Sequence, residues 1–154
     1  RLAMIRIMFV CHGNICRSPM AEFVLKDMVK KSGQADLFRI ESSATSYEEI
    51  GNPVHSGTKR KLSEFGISVK GKYAKKLVKS DYDDFDCFIG MDSANIRNMH
   101  RIFGSDPKNK IHKMLEFAGQ DRDVADPWYT GDFDKTYEDI YAGCTGLLRQ
   151  LTEK

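Results

Sequence analysis

The sequence predicts an α/β fold: a single-domain, three-layer sandwich with a central, mostly four-stranded parallel sheet and helices on both faces. Short apolar runs rich in strand formers alternate along the chain with longer segments of helical periodicity. That alternation favours parallel strands joined by helical crossovers. No repeat, low-complexity tract or linker divides the chain, and 154 residues suit one domain with its own core.

Residues 5–10 (Ile-Arg-Ile-Met-Phe-Val) read as a buried first strand, followed by a polar loop with Gly13. Ser18 as cap, Pro19 in the first turn and Glu22 soon after open a helix that Gly33 stops. Residues 37–42 form a second strand, and a loop follows over residues 47–53. A helix is expected over 54–65, halted at Gly66. Residues 85–91 form a third strand, and Asp92 caps a helix running to about Phe103. Residues 110–114 make a fourth strand. A polar loop over 119–128 leads to a last helix over about 132–151. In such sheets ligands sit beyond the carboxyl ends of the strands. The loops at 11–18 and 92–95 and the segment before Trp128 gather near that edge.

Composition narrows the class. A hydrophobic share of 41% and a charged share of 30% are those of an ordinary soluble globular protein. A net charge of +2 gives no reason to expect nucleic acid or a membrane surface as partner. No apolar run approaches the roughly 20 residues of a membrane helix. The apolar start is too short for a signal peptide. Arg1-Leu2-Ala3 precede a methionine and read as an appended remnant, so a single domain is expected over 4–154. Cys11, Cys16, Cys87 and Cys144 form no disulfide framework, and reduced thiols in the cytoplasm are expected. His12, His55, His100 and His112 show no metal spacing; neither a metal nor another cofactor is expected. Lysines 70, 72, 75, 76 and 79 read as a solvated face, with Asp81, Asp83, Asp84 and Asp86 close behind. Cys87 and Cys144 read as packing residues.

The chemistry concentrates in Cys11-His12-Gly13-Asn14-Ile15-Cys16-Arg17-Ser18. Between a strand and a helix, the backbone N–H groups of such a loop lack intrahelical partners and turn toward an anion. Gly13 removes a side chain where the backbone must curl, and Asn14 tolerates left-handed angles. Arg17 adds a planar fork suited to two phosphate oxygens. These groups, with the Ser18 hydroxyl, favour a thiolate at Cys11. A thiolate in an anion cradle is suited to attack phosphorus and form a phosphocysteine that water then hydrolyses. Cys11 alone reads more readily as a small buried hydrophobe; Arg17, Ser18 and Pro19 in register outweigh that reading. The leaving oxygen needs a proton, and Asp126 in Asp126-Pro127-Trp128-Tyr129 is the candidate. Pro127 keeps Asp126 extended on a mobile loop. Trp128 and Tyr129 wall a pocket for an aromatic leaving group, or one of them packs in the core. An acidic optimum follows, because Asp126 must be protonated while Cys11 is ionised.

The anion loop closing the first strand, Pro19 after it and the distant Asp126-Pro127-Trp128-Tyr129 resemble the low-molecular-weight protein tyrosine phosphatases, across the chain from Met4. The resemblance implies Cys11 as nucleophile, Arg17 as phosphate binder and Asp126 as general acid. It implies that Asn14, Ser18 and Ser42 brace the loop, and that Asp92 belongs to a supporting Met-Asp turn. Tyr47, Glu48, Glu49 and Asn52 resemble a specificity loop at the pocket rim. Cys16 is implied as a redox partner of Cys11. The family often carries His-x-Ala-Arg where this chain has Lys72-Tyr73-Ala74-Lys75, which leaves the support of Ser18 open. The rim position often aromatic in the family is Glu48 here. The expected partners are a phosphotyrosine protein or small aryl phosphate, with phosphate, sulfate or vanadate competing, and the chain acting as monomer or weak dimer. Three other readings share the anion loop. Arginine phosphatases carry a threonine where this chain has Ile15. Arsenate reduction needs a cysteine relay that Cys87, standing alone, does not supply. A non-catalytic phosphate-binding module needs neither Cys11 nor Asp126.

Overall fold

The computed structural model describes residues 4–153. Four parallel strands form one sheet: β1 (Ile5–Cys11), β2 (Phe38–Ala44), β3 (Cys87–Gly90) and β4 (Ile111–Lys113), in spatial order β2-β1-β3-β4. The helices are α1 (Arg17–Lys31), α2 (Ser56–Ser63), α3 (Asp81–Asp84), α4 (Ser93–Phe103), α5 (Pro127–Thr130) and α6 (Phe133–Thr152). Two 3-10 turns, Ala35–Leu37 and Met114–Ala118, precede β2 and follow β4. The three-layer parallel architecture expected from the alternation of elements is the one that forms.

The alternation of β1 sets which side chain meets which layer. Ile7, Phe9 and Cys11 face the layer built from α1 and α6. Met8 and Val10 face the layer of α4, with Phe85, Phe88, Met99 and Phe103. Ile7 and Phe9 are fully buried. Burial of such side chains stabilises the fold by roughly 1.5–3 kcal/mol each. β1 has β2 on one side and β3 on the other, so the crossovers diverge at its carboxyl end. A cleft opens at that switch point, and Cys11 is the last residue of the strand.

Several elements are shorter than expected, each for a local reason. The third strand stops at Gly90 because the Met91 N–H donates to Asn95 Oδ1 at 2.9 Å, a side chain of the next helix. The fourth begins at Ile111; the Lys110 N–H donates to Asp106 Oδ1 at 2.8 Å, and its ammonium runs inward to the carbonyls of Tyr82 and Phe85 at 2.5 and 2.8 Å. α2 starts at Ser56 because His55 caps it, its Nδ1 accepting the Gly57 N–H at 2.9 Å. The one-turn helix α3 was hidden in what reads as a run of aspartates. Acidic side chains are favourable at a helix N-terminus, and Asp81 accepts the Val78 N–H at 2.9 Å. No helix among the described residues is long and apolar enough to cross a membrane.

Candidate active site

Between β1 and α1 the backbone curls through Asn14, which takes a φ of 60°. Asparagine is one of the few residues with a side chain that enters this left-handed region readily. Gly13, expected to provide the curl, serves a different purpose. A Cβ there would stand 3.3 Å from Glu49 Cγ, so glycine lets Glu49 close over the loop.

Ser18 is not the cap of α1, contrary to expectation. The cap position is Cys16, which gives no side-chain hydrogen bond. The N–H groups of the first turn are therefore left for an anion. The Ser18 hydroxyl lies 3.0 Å from Cys11 Sγ instead. Asn14 Nδ2 donates to Ser18 Oγ at 2.8 Å, which leaves the hydroxyl proton for the sulfur. The backbone N–H groups of Asn14 and Ser18 donate to the same sulfur at 3.3 and 3.4 Å. Three donors on one sulfur hold negative charge well.

Asn14 is itself held. Its Nδ2 also donates to Ser42 Oγ at 2.9 Å, and its Oδ1 accepts the Lys75 N–H at 3.1 Å. The Ser42 hydroxyl donates to Glu22 Oε1 at 2.6 Å. Two residues of this chain of contacts escaped the sequence reading. Glu22 was taken for a helix-start signal; it is a buried carboxylate gripped by Lys26 at 2.6 Å and Lys72 at 3.2 Å. Its spacing, four residues after Ser18 on one helix face, was the available signal. Lys72 was placed on a solvated face; its ammonium is turned inward and also donates to the Ser42 carbonyl at 2.8 Å. Burial pulls the Lys72 pKa below its ordinary value, and the Glu22 charge opposes that pull without cancelling it. The segment replacing His-x-Ala-Arg thus supports the loop through Ser42 and Asn14, with no contact from Lys72 to Ser18. Of the other lysines in that run, Lys75 pairs with Glu41 and the Lys76 ammonium stands 4.8 Å over the Tyr47 ring, whereas Lys70 and Lys79 are exposed as expected.

Arg17 is buried, and its fork is fixed from three sides. Nη1 donates to Asp92 Oδ2 at 2.9 Å and to the Val124 carbonyl at 2.8 Å; Nη2 lies 3.5 Å from Asp126 Oδ2. Burial works against its charge, but the negative charges at Cys11, Asp92 and Asp126 outweigh it and raise its pKa. Asp92 also caps α4, with Oδ1 accepting the Asn95 N–H at 2.8 Å. Asp126 is extended, as a residue before proline should be. Its segment is not an open loop, however. Asp126 Oδ1 accepts the Trp128 N–H at 3.0 Å and caps the single turn of α5.

These groups line a cavity of about 120 Å³. Cys11, Arg17 and Asp126 share it with the loop residues His12, Gly13, Ile15 and Cys16. Glu48, Glu49, Trp128 and Tyr129 complete its wall, with the Glu48 carboxylate 2.8 Å from His12 Nε2. Trp128 and Tyr129 are 58% and 84% exposed, so neither is a core aromatic. Two expected wall residues lie elsewhere. Tyr47 points outward under Lys76, and Asn52 turns away to donate to Glu49 Oε1 at 2.9 Å. Cys16 is buried beside Cys11, and its thiol is pushed up to about 12 by that burial, with the charges of Cys11 and Asp126 adding to the effect. Cys87 follows the same rule: burial pushes its thiol up to about 12. Among the described residues, no cluster of His, Cys, Asp or Glu is placed to hold a metal ion.

An anion loop with a cysteine at its base, an arginine fork and an aspartic acid facing it define a cysteine-dependent phosphatase. The family model for low molecular weight phosphotyrosine protein phosphatase matches residues 6–154. The low molecular weight protein-tyrosine-phosphatase YfkJ of Bacillus subtilis is 38% identical over 153 residues, 98% of each chain. Its crystal structure covers 100% of this chain and 99% of its own, with a TM-score of 0.94. SP-PTP, a low molecular weight protein tyrosine phosphatase from Streptococcus pyogenes, is 43% identical with a TM-score of 0.88, covering 98% of this chain and 95% of that one. A drosophila arginine phosphatase is 25% identical with a TM-score of 0.89, covering 97% of this chain and 99% of that one. The chain belongs to the low molecular weight protein tyrosine phosphatase family.

Proposed function

We propose that the chain hydrolyses phosphotyrosine, and aryl phosphates that mimic it, through a phosphocysteine at Cys11. The observation that carries this is the convergence of three donors on Cys11 Sγ, within 3.0–3.4 Å, in a cavity that Arg17 and Asp126 also line. The sulfur attacks phosphorus while the ester P–O bond breaks, and Asp126 gives its proton to the departing phenolic oxygen. Arg17 and the loop N–H groups hold the charge on the transferring phosphoryl group. Water then attacks the phosphocysteine, the S–P bond breaks, and the Asp126 carboxylate takes the proton of that water. Phosphate leaves and the thiolate is restored without any cofactor.

Inorganic phosphate, sulfate and vanadate fit the same cradle and compete. Ile15, buried on the cavity wall, favours an aryl ester over a phosphorylated guanidinium. Cys16 acts as a guard: when peroxide converts Cys11 to a sulfenic acid, the Cys16 thiol condenses with it and releases water. Free cysteines throughout the described residues suit a reducing compartment, which supports the cytoplasm as the location. One chain supplies every group named, so a monomer or weak dimer suffices.

The test compares wild type, Cys11→Ser and Asp126→Ala on p-nitrophenyl phosphate. Cys11→Ser loses turnover. Asp126→Ala retains vanadate binding but loses roughly 10²–10⁴-fold in rate, the usual worth of a positioned acid. Full activity in Cys11→Ser would refute the mechanism.

A further inference from the structure

A second depression, about 1030 Å³, runs from the active cavity along α2 and the segment 66–71. The two share Ile15, Glu49 and Trp128. A group seated on Cys11 therefore has its covalent neighbours at the mouth of this groove. The walls are largely apolar, from Pro53, Ile67, Val69 and a 58%-exposed Tyr73. Two exposed lysines, Lys59 and Lys70, also line it. Neighbouring lysines are already neutralised: Lys61 by Glu64 and Asp134, and Lys72 by Glu22. Neither Lys59 nor Lys70 forms an ion pair among the described residues. The opposing charge is Glu49, at the boundary with the cavity, where Asn52 already donates to it.

We propose that this groove is the docking site for the polypeptide flanking the phosphotyrosine, and that it selects an apolar stretch carrying acidic residues. The proposal rests on the phosphotyrosine reading and adds the sequence class of its substrate. Glu49 repels a carboxylate next to the phosphotyrosine, so the acidic residues belong further out, where Lys59 and Lys70 stand. An extended peptide advances about 3.3 Å per residue, and it lies along the groove with alternate side chains on the apolar wall. Charge pairs at such exposed positions act mainly through selectivity and encounter rate.

The experiment measures kcat/KM on two phosphotyrosyl peptides and on p-nitrophenyl phosphate. One peptide carries Asp at the second and third positions from the phosphotyrosine; the other carries Lys there. Each is made in N-terminal and C-terminal versions. Wild type prefers the acidic peptide on at least one side by about tenfold, a preference that shrinks with added salt. Lys59→Glu/Lys70→Glu loses or inverts the preference and keeps the p-nitrophenyl phosphate rate, which also reports that the variant has folded. An equal rate on acidic and basic peptides in wild type overturns the proposal, as does a preference that the double variant retains. If wild type sediments as a dimer that the double variant breaks, and no peptide preference exists, the groove binds a second copy and the proposal fails. If wild type turns over neither peptide nor p-nitrophenyl phosphate, the phosphatase reading itself fails and the docking proposal falls with it. That result is distinct from loss of preference alone.

Discussion

Ser42, Asn14 and Ser18 link the Lys72 ammonium to the sulfur of Cys11: Lys72 donates to the Ser42 carbonyl, Asn14 Nδ2 donates to both serine hydroxyls, and the Ser42 hydroxyl donates to Glu22 while that of Ser18 faces Cys11 Sγ. A buried carboxylate such as Glu22 is tolerable only while its partners remain. Lys72→Met removes one of two cations and leaves Lys26 and the Ser42 hydroxyl. The expected cost is about 1–3 kcal/mol, the usual range for one unpaired buried group, read as a lowered urea midpoint. Because Lys72 acts through Ser42, Asn14 and Ser18 on Cys11, the proposed nucleophile, kcat is expected to fall while KM for p-nitrophenyl phosphate changes little. A variant with wild-type kcat would show that Lys72 supports the fold alone. None of this chain was evident from Lys72 as a letter: five lysines within ten residues read as a charged surface. Asn14 and Asp126 were legible because their backbone geometry is set locally, by the amide side chain in one case and Pro127 in the other.

α4 illustrates a cap with two duties. Asp92 offers Oδ1 to the Asn95 N–H and Oδ2 to Arg17. Substitutions separate the two. Asp92→Asn keeps a capping oxygen and loses the charge facing Arg17, so the cap holds while Arg17 is less firmly oriented and the vanadate inhibition constant rises. Asp92→Ala loses both, at an added cost of about 0.5–2 kcal/mol for the cap. Equal melting temperatures for Asp92→Ala and wild type would remove the cap from the account. The Asp92 cap was readable because aspartate before a periodic segment is a strong local signal. α1 misled for the converse reason. Ser18 has the chemistry of a cap, yet its hydroxyl is claimed by Cys11, and only the folded loop brings that sulfur within 3.0 Å.

The site is assembled by long-range packing of the entire domain. Arg122 grips Asp139 of α6 with both nitrogens, at 3.0 and 2.9 Å, and thereby anchors the segment that presents Val124 and Asp126 to Arg17. Burial would raise the Asp139 pKa, but hydrogen bonds from Arg122 and Lys135 outweigh it and lower the value. The unfolded chain therefore takes up a proton at higher pH than the native one. The stability Asp139 contributes is fully present above the ordinary aspartate value, about 3.9, and is lost as pH falls through the folded value. Asp139→Asn should flatten that acid limb, so the gap in melting temperature between variant and wild type narrows from pH 6 to pH 3. An unchanged gap would exclude this linkage. α6 also needs its glycines: a Cβ at Gly146 would stand 1.8 Å from the Phe117 carbonyl oxygen. Gly146→Ala forces α6 away from the 3-10 turn after β4, and the expected loss is about 1–3 kcal/mol by chemical denaturation.

The amino-acid order by itself determined the layered fold, the seat of Cys11 at the end of β1, the left-handed Asn14, the Asp92 cap and the extended Asp126. The fold follows from the alternation of elements along the chain; the others depend on neighbours within a turn or two, where sterics and hydrogen bonding are short-ranged and nearly independent of the rest. Only the tertiary structure decided that Glu22 and Lys72 meet under Ser42, that Gly13 yields space to Glu49, and that Tyr47 lies outside the cavity while Trp128 and Tyr129 stand on its rim. Those contacts join segments tens of residues apart, and their partners are fixed by how the layers pack.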